Sequence, residues 1–223
     1  MNTKPIVVAI DGPAGAGKST VAKLVASALR LRYLDTGAMY RCVALLAKRA
    51  GLKESESEEV AALAERSKIK FIEDGVLLDG EDVTKAIRTP ELSSLASSLS
   101  AKPAIRRVLA SRQRQIILEG GYVLEGRDTT SVVAPDAEVK VYLTASIEER
   151  AERRRKDLVA TEHEVSVGEL MKQIAERDAR DMNRSDSPLI RVPEAMVIET
   201  YGLTPQEVAA KIIERARSVT THS

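Results

Sequence analysis

Residues 6–20, IVVAIDGPAGAGKST, decide the fold of this chain. The apolar and largely β-branched run Ile6–Ile10 is typical of a parallel strand that is buried on both faces. The segment Gly12–Ser19 fits the pattern G-x-x-x-x-G-K-[ST], and apolar residues then recur at helical spacing from Val21 to Leu29. A strand, a glycine-rich loop and a helix in this order predict a phosphate-binding loop.

The residues of this loop suit a nucleoside triphosphate. Glycines let the backbone wrap a phosphate without side-chain clashes, and the N–H groups at the helix start add positive potential. Lys18 would neutralise charge on the β- and γ-phosphates, and the Ser19 hydroxyl would ligate Mg²⁺. A turn that only joins a strand to a helix would explain neither residue. The residues expected at the triphosphate are Gly12, Pro13, Ala14, Gly15, Ala16, Gly17, Lys18, Ser19 and Thr20.

The rest of the chain alternates strands with helices, which predicts a parallel sheet covered by helices. The segment Lys68–Asp82 differs, because two Asp-Gly pairs interrupt short apolar runs, and it predicts an antiparallel hairpin inside an insert. Three Ser-x-x-Glu segments, beginning at Ser55, Ser146 and Ser166, have the spacing of a helix capping box. Further helices are predicted at 38–50, 90–100, 103–115 and from Pro205, and further strands at 122–124, 139–143 and 196–198.

Composition narrows the possible partners. Lys and Arg total 34 against 33 Asp and Glu, so no overall charge favours nucleic acid or an anionic membrane. Cys42 is the only cysteine, which excludes an intramolecular disulfide and a cysteine-based zinc site within one chain. The apolar run at 6–10 is too short for a signal peptide or a membrane span. We therefore expect a cytoplasmic monomer with small-molecule partners and no nucleic-acid or membrane partner.

The end of the strand near Tyr122 bears on the fate of the γ-phosphoryl group. A GTPase would normally carry N-K-x-D, which this sequence lacks. The strand runs into EGRD, residues 125–128, which places an arginine and a carboxylate where parallel sheets present ligands. This arrangement favours a charged second substrate over water.

Arginines are spaced as an enzyme with two phosphorylated substrates would need them, because phosphoryl transfer is catalysed mainly by positioning and charge neutralisation. One helical face carries Arg150, Arg153 and Arg154, and a second stripe carries Arg177, Asp181 and Arg184. Each stripe is also compatible with a solvated, salt-bridged helix surface. Likewise Arg41 follows LDTGAMY, a helix start that suits either an anion or a plain N-cap.

Together these segments resemble the bacterial cytidylate kinase family from Ile6 to about Arg217. The resemblance is carried by AIDGPAGAGKST at 9–20, YLDTGAMYR at 33–41, GEDVTKAIRT at 80–89, LEGRD at 124–128, VVAPDAEVKVYL at 132–143 and ERDARDMNRSDSPL at 176–189. After GRD the family usually continues with an apolar residue and glycine, whereas this chain has Thr129, Thr130 and Ser131.

The resemblance implies an α/β P-loop kinase that phosphorylates CMP or dCMP with ATP and Mg²⁺. Its single domain, residues 1–223, would have a five-stranded parallel sheet covered by helices, a small α+β substrate-binding insert and a short lid. The implied core is 1–66, 104–149 and 185–223, with the insert at about 67–103 and the lid at about 150–184.

The resemblance also implies roles for individual residues. The catalytic residues would be Lys18, Arg127, Arg150, Arg154 and Arg184, with Arg153 at ATP and Ser19 at Mg²⁺. The CMP-binding residues would be Thr36, Arg41, Ser97, Arg106, Arg127, Asp128, Arg177 and Asp181.

Two alternatives share the loop. A P-loop kinase of another small anion, such as UMP, AMP or a shikimate-like metabolite, would differ only in the EGRD and ERDARDMNR segments. A nucleotide switch or nucleic-acid-binding ATPase is disfavoured by the balanced charge and by an aromatic content of 3%.

Overall fold

The computed structural model describes residues 4–73, 75–159 and 165–221. The strands are β1 (Val7–Asp11), β2 (Arg32–Asp35), β3 (Ile69–Ile72), β4 (Gly75–Leu78), β5 (Glu81–Asp82), β6 (Tyr122–Gly126), β7 (Val139–Thr144) and β8 (Met196–Glu199). The helices are α1 (Lys18–Leu29), α2 (Thr36–Ala50), α3 (Ser57–Arg66), α4 (Pro90–Leu99), α5 (Pro103–Ile117), α6 (Ile147–Val159), α7 (Val167–Asn183) and α8 (Pro205–Thr221). A π-helical turn, Thr129–Val133, follows β6.

The main sheet has five strands in the order β2-β6-β1-β7-β8. β1 lies at its centre and pairs in parallel with both β6 and β7, and β7 pairs in parallel with β8. Val8 and Ile10 of β1 are fully buried and share a core with apolar residues of α1 and α8. The predicted five-stranded α/β fold is confirmed, and its carboxyl edge is where β1 runs into the phosphate loop.

The sequence patterns alone did not predict β2. Arg32–Asp35 is short, and only its last two residues are buried, so it has no apolar run. Tertiary contacts fix it instead. The Arg32 N–H donates to the Gly121 carbonyl at 2.9 Å, and the Arg32 guanidinium lies 4.1 Å from the centroid of the Tyr122 ring.

The chain forms two compact units, and Leu34–Leu118 is the second of them. This unit contains α2 to α5 and a small sheet in which β4 pairs antiparallel with both β3 and β5. The predicted hairpin is therefore present. The predicted insert at 67–103 falls within this unit, and its bounds stay a prediction.

The first unit comprises the chain up to Tyr33 and from Glu119 onward. Within it α6 packs against α7 around Ala151, Leu170 and Ile174. Of the predicted lid, residues 160–164 lie outside the described residues. Among the helices described, none has both the length and the apolar character that a membrane span requires.

Two of the three predicted capping boxes cap a helix. The Ser146 and Ser166 hydroxyls each accept the N–H three residues on, both at 3.2 Å. The prediction at Ser55 is wrong, because α3 begins at Ser57 without a side-chain cap. The Glu56 carboxylate instead accepts the Lys53 N–H at 2.7 Å, which closes a turn ahead of the helix.

Candidate active site

The loop between β1 and α1 depends on two of its glycines. Gly12 has φ +150, and a Cβ there would lie 2.1 Å from the Leu143 carbonyl oxygen, so no other residue fits without moving β7. Gly17 caps α1 with φ +85 and offers no side chain to the helix start. The N–H groups of the first turn of α1 are thus left to an anion.

Lys18 opens α1 and is buried. Its ammonium donates to the Pro13 carbonyl at 2.8 Å, across the loop. Its pKa is lowered to about 7, chiefly by burial and then by the charges of Arg127 and Arg177, which Glu125 and Asp11 offset in part. Lys18 is therefore a cation held in a site that disfavours its charge until an anion arrives.

Ser19 meets a carboxylate that the sequence patterns did not single out. Its hydroxyl donates to Oε1 of Glu125 at 2.7 Å, and the Tyr33 hydroxyl donates to the same oxygen at 3.5 Å. Glu125 is buried near the end of β6, where it pairs in register with Ile10. A carboxylate at the carboxyl end of the strand next to the loop was the signal that could have identified it.

Arg127 and Asp181 form the centre of a buried charge cluster, the Asp181 cluster, which Arg177 and Arg184 complete. Arg127 donates through Nε to Asp181 Oδ2 at 2.9 Å, and a guanidinium nitrogen of Arg184 lies 3.5 Å from Oδ1. Burial raises the pKa of Asp181, but the charges of Arg127, Arg177 and Arg184 outweigh it and leave the pKa lowered. The fold thus concentrates cations around one anion.

Arg150 of α6 is tied to the phosphate loop through a second carboxylate, Asp178 of α7. Arg150 bonds Asp178 and also donates to the Ala14 carbonyl at 3.0 Å, while the Ala14 N–H donates to Asp178 at 3.1 Å. Asp178 was not among the predicted site residues, because only the packing of α6 on α7 reveals it. Arg153 donates to the Thr200 hydroxyl at 2.9 Å, and Arg154 is exposed.

The unit Leu34–Leu118 carries a separate set of predicted residues. Asp35 caps α2 by accepting the Ala38 N–H at 2.8 Å, and it also accepts from Arg41 at 2.8 Å. Within the described part of the chain, Nε of Arg41 is buried without a hydrogen-bond partner. Arg106 is buried, donates to the Ser100 carbonyl at 3.0 Å and lies 5.7 Å from the Tyr40 ring centroid.

The predicted acceptor residues are divided between the two units. Four are buried or partly buried in Leu34–Leu118, namely Thr36, Arg41, Ser97 and Arg106. The other four belong to the first unit, namely Arg127, Asp128, Arg177 and Asp181. The triphosphate loop lies in the first unit as well.

Comparison with known proteins identifies the family that this chain is similar to. A sequence model of the cytidylate kinase family matches residues 8–218. The cytidylate kinase of Carboxydothermus hydrogenoformans is 46% identical over 211 residues, covering 93% of this chain and 95% of that protein. The cytidylate kinase of Geobacter sulfurreducens is 47% identical over 207 residues, covering 91% and 89%. An uncharacterised protein from Eubacterium ventriosum is similar in fold, with TM-score 0.54 at 12% identity over 96% of this chain and 99% of that one.

Proposed function

The chain belongs to the cytidylate kinase family, and from that premise we propose that it transfers the γ-phosphoryl group of ATP to CMP or dCMP. The products are ADP and CDP or dCDP. The observation that carries the proposal is the register of β1 against β6, in which Asp11 pairs with Gly126. The next residues along the two strands are Gly12, which opens the donor loop, and Arg127, which belongs to the Asp181 cluster.

The donor half of the site comprises the loop Gly12–Ser19 and the start of α1. The backbone N–H groups of the loop and of Thr20 would receive the phosphates of ATP. Lys18 would exchange the Pro13 carbonyl for phosphate oxygens, which restore the preference for its charged form. Its reach across the loop supports this role.

The residues present fit Mg²⁺. The Ser19 hydroxyl supplies an oxygen ligand with the Glu125 carboxylate beside it, and Mg²⁺ prefers one or two protein ligands with waters and phosphates in the remaining positions. Ser19 would hold the ion directly, and Glu125 would orient the Ser19 hydroxyl or a bound water. When bound, Mg²⁺ supplies charge neutralisation at the β- and γ-phosphates.

The acceptor half would use arginines to hold the phosphate of CMP. Arg127 keeps a nitrogen beyond those bonded to Asp181 and to its own neighbour Gly126, and Arg41 has the buried Nε already described. Arg106 and Thr36 would complete the phosphate contacts. Ser97, Arg177 and Asp181 would bind the cytosine and Asp128 the sugar. Transfer between two phosphates held in line needs no covalent enzyme intermediate.

Residues 150–184 would act as a lid that closes over both substrates. Arg150, Arg153, Arg154 and Arg184 would then stabilise the transferring γ-phosphoryl group, and closure would exclude water. Slow ATP hydrolysis without CMP is expected on this basis. Fast hydrolysis without any acceptor would contradict a water-excluding lid.

A panel of acceptors tests the proposal. ADP release is measured with CMP, dCMP, UMP, AMP, GMP and shikimate at a fixed ATP concentration. We expect the highest kcat/KM with CMP or dCMP. Equal or higher values with AMP or shikimate would show that the acceptor is another small anion.

We further propose that the enzyme is a cytoplasmic monomer that binds neither nucleic acid nor membranes. The balance of 34 basic against 33 acidic residues supports this, since it gives no broad electrostatic surface for either. Light scattering on the purified chain at micromolar concentration would reveal a dimer if one forms.

A further inference from the structure

Asp11 is a fully buried carboxylate that no step above uses. It is the last residue of β1, and its backbone pairs with Gly126 of β6 on one side and Tyr142 of β7 on the other. Burial raises its pKa, and hydrogen bonds from Thr130 and Thr129 lower it only in part. Burying a carboxylate in the centre of a sheet costs free energy unless hydrogen bonds or opposite charges satisfy it.

In the part of the chain that the structure describes, all the hydrogen bonds of the Asp11 side chain come from one turn. Oδ1 accepts from the Thr129 N–H at 2.9 Å and the Thr129 hydroxyl at 2.7 Å, and Oδ2 accepts from the Thr130 N–H at 2.7 Å and the Thr130 hydroxyl at 2.6 Å. Each oxygen thus takes two donors, which fills the acceptor capacity of the carboxylate. The carboxylate thus binds two consecutive residues, and the turn cannot move without breaking these hydrogen bonds.

This turn stands directly after the residues that the proposed function assigns to the acceptor. Arg127 and Asp128 separate the end of β6 from Thr129, and the N–H groups of Val132 and Val133 donate to the Asp128 carbonyl within the turn. On the other side, Asp11 is followed at once by Gly12, where a Cβ would lie 2.1 Å from the Leu143 carbonyl oxygen. One carboxylate therefore joins the start of the donor loop to the end of the acceptor segment.

We propose that Asp11 is a positioning residue for phosphoryl transfer, and that the Thr129 and Thr130 hydroxyls make it one. It fixes Arg127 and Asp128 relative to the first residue of the donor loop. The inference rests on the proposed function. Asp11 itself is held by strand pairing on both sides, so loss of the hydroxyls releases the turn rather than the strand, and the acceptor side should suffer first.

The test is the double variant Thr129→Val with Thr130→Val, which keeps the shape and both backbone N–H groups. We expect kcat/KM for CMP to fall roughly tenfold to a hundredfold, the range for a displacement of about 1 Å, while KM for ATP changes little. Thr129→Ser with Thr130→Ser restores both hydroxyls and should recover the wild-type values. A residue that only stabilised the fold would lower the melting temperature without this split between the two substrates.

Ser131→Ala is the matched control, because the Ser131 hydroxyl is buried in the same turn and has no hydrogen-bond partner in the described chain. We expect its kinetics to stay within about twofold of wild type. Asp11→Asn should act like the double variant but more strongly, since an amide offers one acceptor and turns its N–H₂ towards a backbone N–H. The threonine variants decide the matter if Asp11→Asn fails to fold.

Unchanged kcat/KM for CMP in the double valine variant would overturn the inference, and so would an equal rise in both KM values. If the wild-type chain does not phosphorylate CMP, the proposed function fails and this inference fails with it. If the wild type is active on CMP and the double valine variant has the same kinetics as Ser131→Ala, only the positioning role of Asp11 is refuted.

Discussion

Two buried carboxylates, Asp11 at the end of β1 and Asp181 of α7, have pKa values that are shifted in opposite directions. Within the described residues, the Asp11 side chain accepts hydrogen bonds only from hydroxyl and N–H groups of Thr129 and Thr130, and its pKa is raised. Asp181 is surrounded by guanidinium groups, and its pKa is lowered although burial opposes it. At Asp11 the four neutral donors offset the effect of burial on the pKa only in part, whereas at Asp181 the guanidinium charges outweigh it.

The difference corresponds to two kinds of task. The hydrogen bonds that Asp11 accepts are short, fill the acceptor capacity of the carboxylate and come from the protein itself, so they suit a fixed connection between two loops. The Asp181 cluster holds more positive than negative charge, so it is ready for an anion that joins from outside. Substitutions at the two sites should separate these tasks.

Arg127→Lys should disrupt the Asp181 cluster. Lysine is a point charge and cannot hold Asp181 while presenting a second nitrogen to phosphate. We expect kcat to fall about a hundredfold to a thousandfold, the loss seen when a transition-state donor is removed. ATP affinity, measured by calorimetry, should stay nearly unchanged.

The control for this variant is Arg180→Lys, an exposed arginine on the same helix as Asp181. It should leave kcat close to wild type. A collapse of ATP affinity in Arg127→Lys would place Arg127 on the donor side instead.

The pH dependence of unfolding should distinguish the two carboxylates by sign. The pKa of Asp181 is lowered in the fold, so its contribution to stability is present above about pH 4 and is lost as the pH falls through the folded-state pKa. The pKa of Asp11 is raised, so its contribution is present below about pH 4 and is lost as the pH rises towards the folded-state pKa.

Urea unfolding of Asp181→Asn and Asp11→Asn at pH 3 and pH 7 measures this. Asp181→Asn should be more damaging at pH 7 than at pH 3, and Asp11→Asn more damaging at pH 3 than at pH 7. Each unit of pKa difference between folded and unfolded states contributes about 1.4 kcal/mol to the change. Slopes of the same sign for both variants would refute the contrast.

The same comparison shows how far sequence reasoning reaches. The loop Gly12–Ser19 and the helix starts at Ser146 and Ser166 are local patterns, and the structure forms them as predicted. Ser55 fits the same pattern as those two serines but does not cap, because α3 begins two residues later, at Ser57. The spacing of a serine and a glutamate therefore does not decide by itself where a helix begins.

The supporting carboxylates escaped prediction for another reason. Asp11, Glu125 and Asp178 acquire their partners across more than a hundred residues of chain or through the packing of two helices. The sequence does mark Thr129 and Thr130 as a departure from the resembling family, and the structure supplies their use as donors to Asp11. Spacing along the chain carries no information about such pairings, so only the sheet register and the packing of α6 on α7 reveal them.

The variant Glu125→Gln tests a third carboxylate, which, like Asp11, accepts hydrogen bonds from neutral hydroxyls. Unlike Asp11, Glu125 would act through a metal ion. Changes to groups that orient a metal ligand weaken metal affinity by about tenfold or more, so the Mg²⁺ concentration for half-maximal activity should rise by about that factor. ATP binding without Mg²⁺ should be unaffected, and Glu119→Gln, at an exposed position, should behave as wild type. An unchanged Mg²⁺ dependence would assign Glu125 to the fold alone.

The smallest effect concerns Lys18, whose pKa of about 7 reflects burial first, then repulsion by Arg127, with Asp11 acting in the opposite sense. Bound phosphates favour the charged form, so ATP binding at pH 7.5 should take up roughly three-quarters of a proton and weaken about fourfold relative to low pH. Calorimetry in buffers of different ionisation enthalpy measures the uptake.

Lys18→Arg should abolish the proton uptake that is due to Lys18, because arginine stays charged. Subtracting the uptake of this variant from that of the wild type removes the protons that ATP itself exchanges. In Asp11→Asn the midpoint of the uptake should move to lower pH, since a negative charge that raises the pKa of Lys18 is gone. An uptake that Lys18→Arg leaves intact would mean that a group other than Lys18 takes up the proton.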